Sequence, residues 1–72
     1  MPGHYRARTW PEAKTGPCLL WSDREDTFRL ANCSLITEHG GRVIARVTFD
    51  GAGMVQHIDD LDLLRFPVDE QP

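Results

Sequence analysis

The sequence predicts a small, mainly β (all-β) domain in which five or six short strands form a barrel. Residues 42–49 alternate between apolar and polar side chains at a period of two, which is the pattern of a strand with one buried face. Short apolar runs are separated by glycine-containing or charged turns at intervals of about 8–12 residues, as in small barrels. A chain of 72 residues is expected to form one domain with a small core.

The strand over residues 42–49 and the hairpin after it are the clearest elements. The side expected to face the core carries Val43, Ala45, Val47 and Phe49. The opposite side carries Arg42, Ile44, Arg46 and Thr48. Turn residues at 50–53 and a resumed extended pattern over 54–58 then predict the second half of the hairpin.

Two further strands are predicted before this hairpin. Residues 18–21 form a short apolar run, and the charged residues 22–26 predict a turn after it. Residues 27–37 are again extended, and the two glycines within residues 38–41 predict the next turn.

The long strand over residues 27–37 is expected to contain an irregularity. Phe28 and Leu30 share one side of it, whereas Cys33 and Leu35 share the other. A change of phase near Asn32 indicates a β-bulge or a strong bend, which closing a small barrel requires.

The two ends of the chain differ from the strands between them. Residues 1–17, rich in proline, predict an irregular N-terminal arm before a single barrel domain over residues 18–67. Asp59 and Asp60 are compatible with capping a helical turn through Leu63, and residues 62–66 are alternatively compatible with the last strand. One short 3-10 or helical turn near residues 59–63 that leads into a short strand accommodates both patterns. The acidic tail at residues 68–72 is expected to be frayed.

The order of these elements resembles that of SH3-like and Sm-like small barrels. Residues 41–50, a glycine followed by alternating aliphatic residues and Phe-Asp, are similar to an Sm-type strand. Residues 54–61 resemble the later strand that runs into a short turn and a closing strand, and Rho-binding antiterminators and WYL domains have comparable tails. The resemblance spans residues 27–66. It implies binding and not catalysis, because Sm-like proteins bind RNA or partner proteins, often as rings.

No arrangement of residues predicts catalysis, a bound metal or a cofactor. The two cysteines, three histidines and eleven acidic residues show neither a nucleophile turn nor the spacing of a metal site. Cys18 and Cys33 are expected to be small buried apolar residues, with a disulfide or a reactive or metal-binding role as alternatives. His57 is expected to be a half-buried residue of the sheet.

Charge is unevenly distributed along the chain, although the net charge is only −3. Residues 59–72 hold five acidic residues against Arg65, whereas residues 1–17 are basic on balance. An acidic chain argues against binding nucleic acid through bulk attraction to phosphate, while a local basic surface stays compatible with it. The N-terminal residues lack the apolar stretch of a signal peptide, so a cytoplasmic location and no membrane partner are expected.

The sequence therefore predicts a non-enzymatic binding module, a small regulatory adaptor or inhibitor that docks on a larger protein. Its contact residues are expected on the central strand, in the acidic turn and in the arm. They are Arg42, Ile44, Arg46, Thr48, Asp59, Asp60, Asp62, Tyr5, Arg6, Arg8 and Trp10. The alternative is a binder of RNA or single-stranded nucleic acid that uses arginine and aromatic side chains. A homodimer or a ring is compatible with so small a domain.

Overall fold

A computed structural model describes residues 13–67 and the backbone of residues 5–6. The described chain consists of strands and one 3-10 turn. In chain order these are β1 (Tyr5–Arg6), β2 (Gly16–Ser22), β3 (Thr27–His39), β4 (Arg42–Phe49), β5 (Gln56–Ile58), the 3-10 turn (Leu61–Leu63) and β6 (Leu64–Pro67). The prediction of a mainly β domain with a short 3-10 turn is confirmed.

The strands form an antiparallel open sheet in the order β1-β6-β2-β3-β4-β5. Strands β2 to β5 follow one another as a meander, because each is joined to the next by a turn or a short connection. The last strand returns to the first part of the sheet, where Leu64 pairs with Leu20 and Arg65 with Leu19. The two-residue strand β1 pairs with β6 and lies at one end of the sheet, with β5 at the other.

The core lies on one side of this sheet. It is built from apolar residues at alternate positions of each strand, as the period-two pattern requires. The buried members are Cys18, Leu20, Ala31, Cys33, Ala45, Val47, Ile58, Leu64 and Phe66. The predicted inward side of β4 is confirmed, with Ala45 and Val47 buried and the end residues Val43 and Phe49 half-buried. The side of the sheet opposite to this core is called the outward face below.

The predicted β-bulge is confirmed, but it lies two residues beyond Asn32. The register of β3 with β4 shifts between Cys33, which pairs with Val47, and Leu35, which pairs with Arg46. Ser34 is the extra residue, so the inward positions pass from Cys33 to Ile36. Leu35 therefore belongs to the outward face and not to the side of Cys33, and it is 42% exposed.

Several element boundaries differ from those predicted. The segment around residues 5–6, predicted as irregular, includes the short strand β1, and β2 begins at Gly16 rather than at residue 18. Strand β3 continues through His39, because a two-residue turn at Gly40-Gly41 closes the hairpin. Both glycines have a positive φ, of 61° and 82°, which matches the turn geometry that suits the twist of antiparallel strands.

The connection after β4 is longer, and the strand after it shorter, than predicted. Strand β5 begins at Gln56, so Met54 and Val55 lie in an irregular connection and are 75% and 38% exposed. The 3-10 turn follows as predicted, with the Asp60 carboxylate accepting a hydrogen bond from the backbone N–H of Asp62 at 3.0 Å. The last strand begins at Leu64 because the turn uses residues 61–63.

Cys18 and Cys33 are free thiols buried in the core, as the principal prediction for them requires. They lie diagonally across β2 and β3, because Cys18 pairs with Ala31 and Cys33 pairs with Gly16. Burial raises the pKa of the Cys18 thiol to about 12, with Cys33 and then Asp50 adding to the shift. Burial also raises the pKa of Cys33. Both thiols are therefore protonated at neutral pH and poor nucleophiles. The structure has both cysteines as free thiols, not as the disulfide given as an alternative.

The raised pKa of Cys18 predicts that stability falls in alkaline solution. The thiol ionises near its ordinary pKa of 9.0 in the unfolded chain, but only near pH 12 in the folded one. Its contribution is therefore complete below pH 9 and is lost as the pH rises toward 12. The loss has a limiting slope of about 1.4 kcal/mol per pH unit. Urea unfolding across this range should show a steeper loss for the wild type than for Cys18→Ala. Parallel losses would contradict the prediction.

Candidate partner-binding faces

The four predicted contact residues of β4 all lie on the outward face of the sheet. Arg42 and Arg46 are exposed, whereas Ile44 and Thr48 are half-buried. Each pairs with a β3 residue that is itself exposed. These four neighbours are His39 beside Arg42, Thr37 beside Ile44, Leu35 beside Arg46 and Asn32 beside Thr48. The outward face therefore combines charged, polar and apolar side chains. At each outward position of β4, a side chain of β3 lies beside that of β4.

The structure brings together two of the predicted contact regions through an ion pair. The guanidinium of Arg42 donates a hydrogen bond to the carboxylate of Asp59, at the start of the acidic turn. Both side chains are largely exposed, at 69% and 51%. A surface pair of this kind adds little stability, but it compensates the charge of Arg42.

The rest of the acidic turn has a structural explanation. Asp60 caps the 3-10 turn, and the backbone carbonyl of Asp62 accepts a hydrogen bond from Arg65 at 2.7 Å. With Asp59 held by Arg42, the turn does not present three free carboxylates to one partner. Among residues 13–67, no group of three or more histidine, cysteine or acidic side chains is placed to hold a metal ion.

Arg46 is the centre of a row that crosses three strands. It pairs with Leu35 of β3 on one side and with His57 of β5 on the other. All three side chains are exposed, and Arg46 makes no ion pair with the described part of the chain. The backbone carbonyl of Arg46 accepts a hydrogen bond from the Ser34 hydroxyl at 3.4 Å, which ties the row to the bulge. These three residues are called the Arg46 row.

The prediction that His57 is half-buried is wrong. It lies in β5, the end strand of the sheet, and its side chain belongs to the outward face with Arg46. On that face its side chain is exposed. This position adds an imidazole to the Arg46 row, which the sequence pattern did not indicate.

A second cluster on the outward face was not predicted. It lies on β6, β2 and the first half of β3, and it is called the aromatic patch. Its members are Leu19, Trp21, Phe28, Leu30 and Arg65. Leu19 lies between Leu30 and Arg65 in register, and Trp21 pairs with Phe28. Leu30 is 54% exposed, and the other four are half-buried.

The side chains of the aromatic patch hold one another in place. The rings of Trp21 and Phe28 meet edge to face, with centroids 5.2 Å apart and an interplanar angle of 74°. The guanidinium carbon of Arg65 lies 4.6 Å from the centroid of Phe28. The indole N–H of Trp21 donates to the Asp23 carboxylate at 2.8 Å. The patch is thus an ordered surface and not a set of isolated exposed residues.

A signal for part of the aromatic patch was present in the sequence. Residues 18–21 are apolar at every position, so the strand must be apolar on both sides, and only one side can face the core of a single sheet. Phe28 and Leu30 continue the second apolar side on the next strand. Arg65 could not be placed this way, because only the pairing of β6 with β2 brings it there.

The predicted contact residues of the N-terminal arm lie largely outside the described structure. The backbone of Tyr5 and Arg6 forms β1, where they pair with Pro67 and Phe66. Arg8 and Trp10 lie outside the described residues. The role predicted for all four in binding stays a prediction.

Comparison of the chain with protein-family models, with curated proteins and with solved structures finds no match. In the described part of the chain, none of the helical structure has the length and apolar character needed to cross a membrane.

The Arg42–Asp59 pair predicts a small coupling energy. Because both groups are exposed, a double-mutant cycle with Arg42→Ala and Asp59→Ala should give a coupling below about 1 kcal/mol that decreases with added salt. Urea unfolding of the four proteins at low and high ionic strength measures it. A coupling well above this value, or one insensitive to salt, would mean that the pair is shielded from solvent.

Proposed function

We propose that this protein is a non-enzymatic docking module that regulates a larger protein, as an adaptor or inhibitor, through its outward face. The Arg46 row carries the proposal. It sets an exposed leucine directly beside an arginine that has no carboxylate partner in the described chain. Arginine beside apolar side chains is typical of protein interfaces, because its planar guanidinium binds carboxylates while its stem packs against apolar surface.

The strand order supports an SH3-like arrangement for this module. The first long strand, β2, lies between the last strand and β3, and a 3-10 turn leads into the last strand. The long strand β3 pairs with β2 over its first half and with β4 over its second half. The bulge at Ser34 comes directly after the part of β3 that pairs with β2. We propose that the sheet curls about this bulge toward a barrel, which would turn the outward face into a convex surface.

Nucleic acid is the alternative partner, and the described face supports it less. Of the two arginines predicted on β4, Arg42 already has a carboxylate partner, which leaves Arg46 with an uncompensated charge. Binding single strands usually requires several cations along a groove together with aromatic platforms. The net charge of −3 adds a general repulsion of phosphate.

The test is to capture partners from a lysate of the source cells on the immobilised protein, with and without nuclease and at low and high salt. The variant Arg46→Glu reverses the charge of the row. The matched control is Arg24→Glu, an exposed arginine of the β2–β3 turn that undergoes the same change. Both are surface substitutions and should change the free energy of unfolding by no more than about 0.5 kcal/mol, which circular dichroism and urea unfolding check first.

We expect a discrete protein that is retained after nuclease treatment and at high salt, lost with Arg46→Glu and kept with Arg24→Glu. Recovery of nucleic acid only at low salt, with a steep dependence on ionic strength, would support the alternative. Equal capture by both variants would remove the Arg46 row from the binding surface.

A further inference from the structure

We infer that the aromatic patch and the Arg46 row together bind an extended acidic segment of the partner that carries apolar side chains between its carboxylates. This inference rests on the proposed docking function and specifies the chemistry of the partner. Packing of the core does not explain why the patch is apolar. The inward residues of the same two strands, Cys18, Leu20, Ala31 and Cys33, are at most 3% exposed, so one side of β2 and β3 already fills the core.

The composition of the patch is that of a binding surface. Tryptophan and arginine are the residue types most often responsible for affinity at protein interfaces. Here Trp21 pairs with Phe28, and Leu19 lies between Arg65 and Leu30, which is 54% exposed. A group of large apolar side chains on the solvent side of a sheet indicates a contact site more strongly than scattered exposed residues do.

The patch is also organised before any partner arrives. Arg65 is held by hydrogen bonds to the backbone carbonyls of Asp62 and Leu64, at 2.7 and 2.8 Å, while it covers Phe28. Trp21 is fixed by its ring contact and by its bond to Asp23. Ordered side chains lose little conformational entropy on binding, so more of the contact energy becomes affinity.

The charges of the outward face select an acidic partner. Arg46 and Arg65 form no ion pair with any residue in the described ranges, and the carboxylate of Asp23 is already bonded to Trp21. The face is thus locally cationic on a chain whose net charge is −3. Two copies meeting through this face would bring like charges together, so a second copy of the chain fits it less well than an acidic segment does.

The spacing along β3 sets the length of the bound segment. Leu30 of the aromatic patch and Leu35 of the Arg46 row are five positions apart on the same strand, with the exposed Asn32 between them. At about 3.3 Å per residue, the two leucines are separated by roughly 15 Å once the bulge is allowed for. An extended segment of about five residues covers this distance, with apolar side chains over the leucines and carboxylates near the arginines.

Selection from a random peptide library displayed on phage tests the inference without knowing the partner. The full chain is the bait, and the comparison variants are Leu30→Ser in the patch, Arg46→Glu in the row and Met54→Ser as the matched control. Met54 is 75% exposed in the β4–β5 connection and belongs to neither cluster, so it controls for the loss of an exposed apolar side chain. Affinities are measured with the wild-type chain and again with Trp10→Phe, in which Trp21 is the single tryptophan whose fluorescence reports binding.

We expect enriched peptides that combine aspartate or glutamate with leucine or aromatic residues and that change the emission of Trp21. Leu30→Ser and Arg46→Glu should each weaken their binding about tenfold or more, and Met54→Ser should leave it unchanged. Binding that is lost with Arg46→Glu but indifferent to Leu30→Ser would overturn this inference and leave the docking function standing. Peptides without carboxylates would also overturn it.

Two further outcomes separate the remaining cases. No enrichment at all, or enrichment insensitive to both variants, would contradict the inference and the docking function of this face together. Concentration-dependent self-association in analytical ultracentrifugation that Leu30→Ser abolishes would assign the patch to a second copy of the chain, and the inference would be wrong.

Discussion

The extra residue in β3, Ser34, determines which side chains after it are exposed to solvent. Among the strands that the structure describes, β3 is the only one that pairs extensively with two long neighbours, β2 and β4. Since side chains alternate between faces, one inserted residue reverses the parity of every position after it. Ser34 provides that reversal, so Ile36 continues the core where Leu35 would otherwise have done so. Strand β4 then sets Ala45 inward and Arg46 outward against this corrected register.

The elements that could be predicted are those whose pattern is local. The period of two over residues 42–49 fixed the faces of β4 correctly, and the aspartates at residues 59–60 correctly indicated a capped turn. The sequence predicts a bulge in β3 but not its exact position, because apolar residues occur on both sides of this strand. Where both sides of a strand are apolar, the pattern does not say which side is covered. For the same reason, the pattern does not predict that Phe28 and Leu30 face outward.

The candidate binding faces were harder to predict because they depend on pairings between distant parts of the chain. Arg65 joins Leu19 only because the last strand returns beside β2, and Asp59 reaches Arg42 across the hairpin. The contact between Asp59 and Arg42 matters for the charge of β4. The sequence places two arginines on its outward side, but Asp59 compensates Arg42, and only Arg46 is without a carboxylate partner in the described chain. Net charge describes the whole chain and so gave no information about this local imbalance.

The return of β6 to β2 also has a consequence for how the chain assembles. Strands β2 to β5 are neighbours in sequence and can pair progressively from the turns that join them. This pairing is fast because the loops to be closed are short. Leu20 and Leu64 pair although they are far apart along the chain, so their contact requires a longer and slower loop closure than any pairing within the β2–β5 meander. Until the final strand arrives, one edge of β2 has no neighbour and Leu20 lacks part of its cover. A nascent chain therefore completes its hydrophobic interior only once residues 64–67 are free to pair with β2, and a chain that ends before Leu64 would lose both Leu64 and Phe66 from the core.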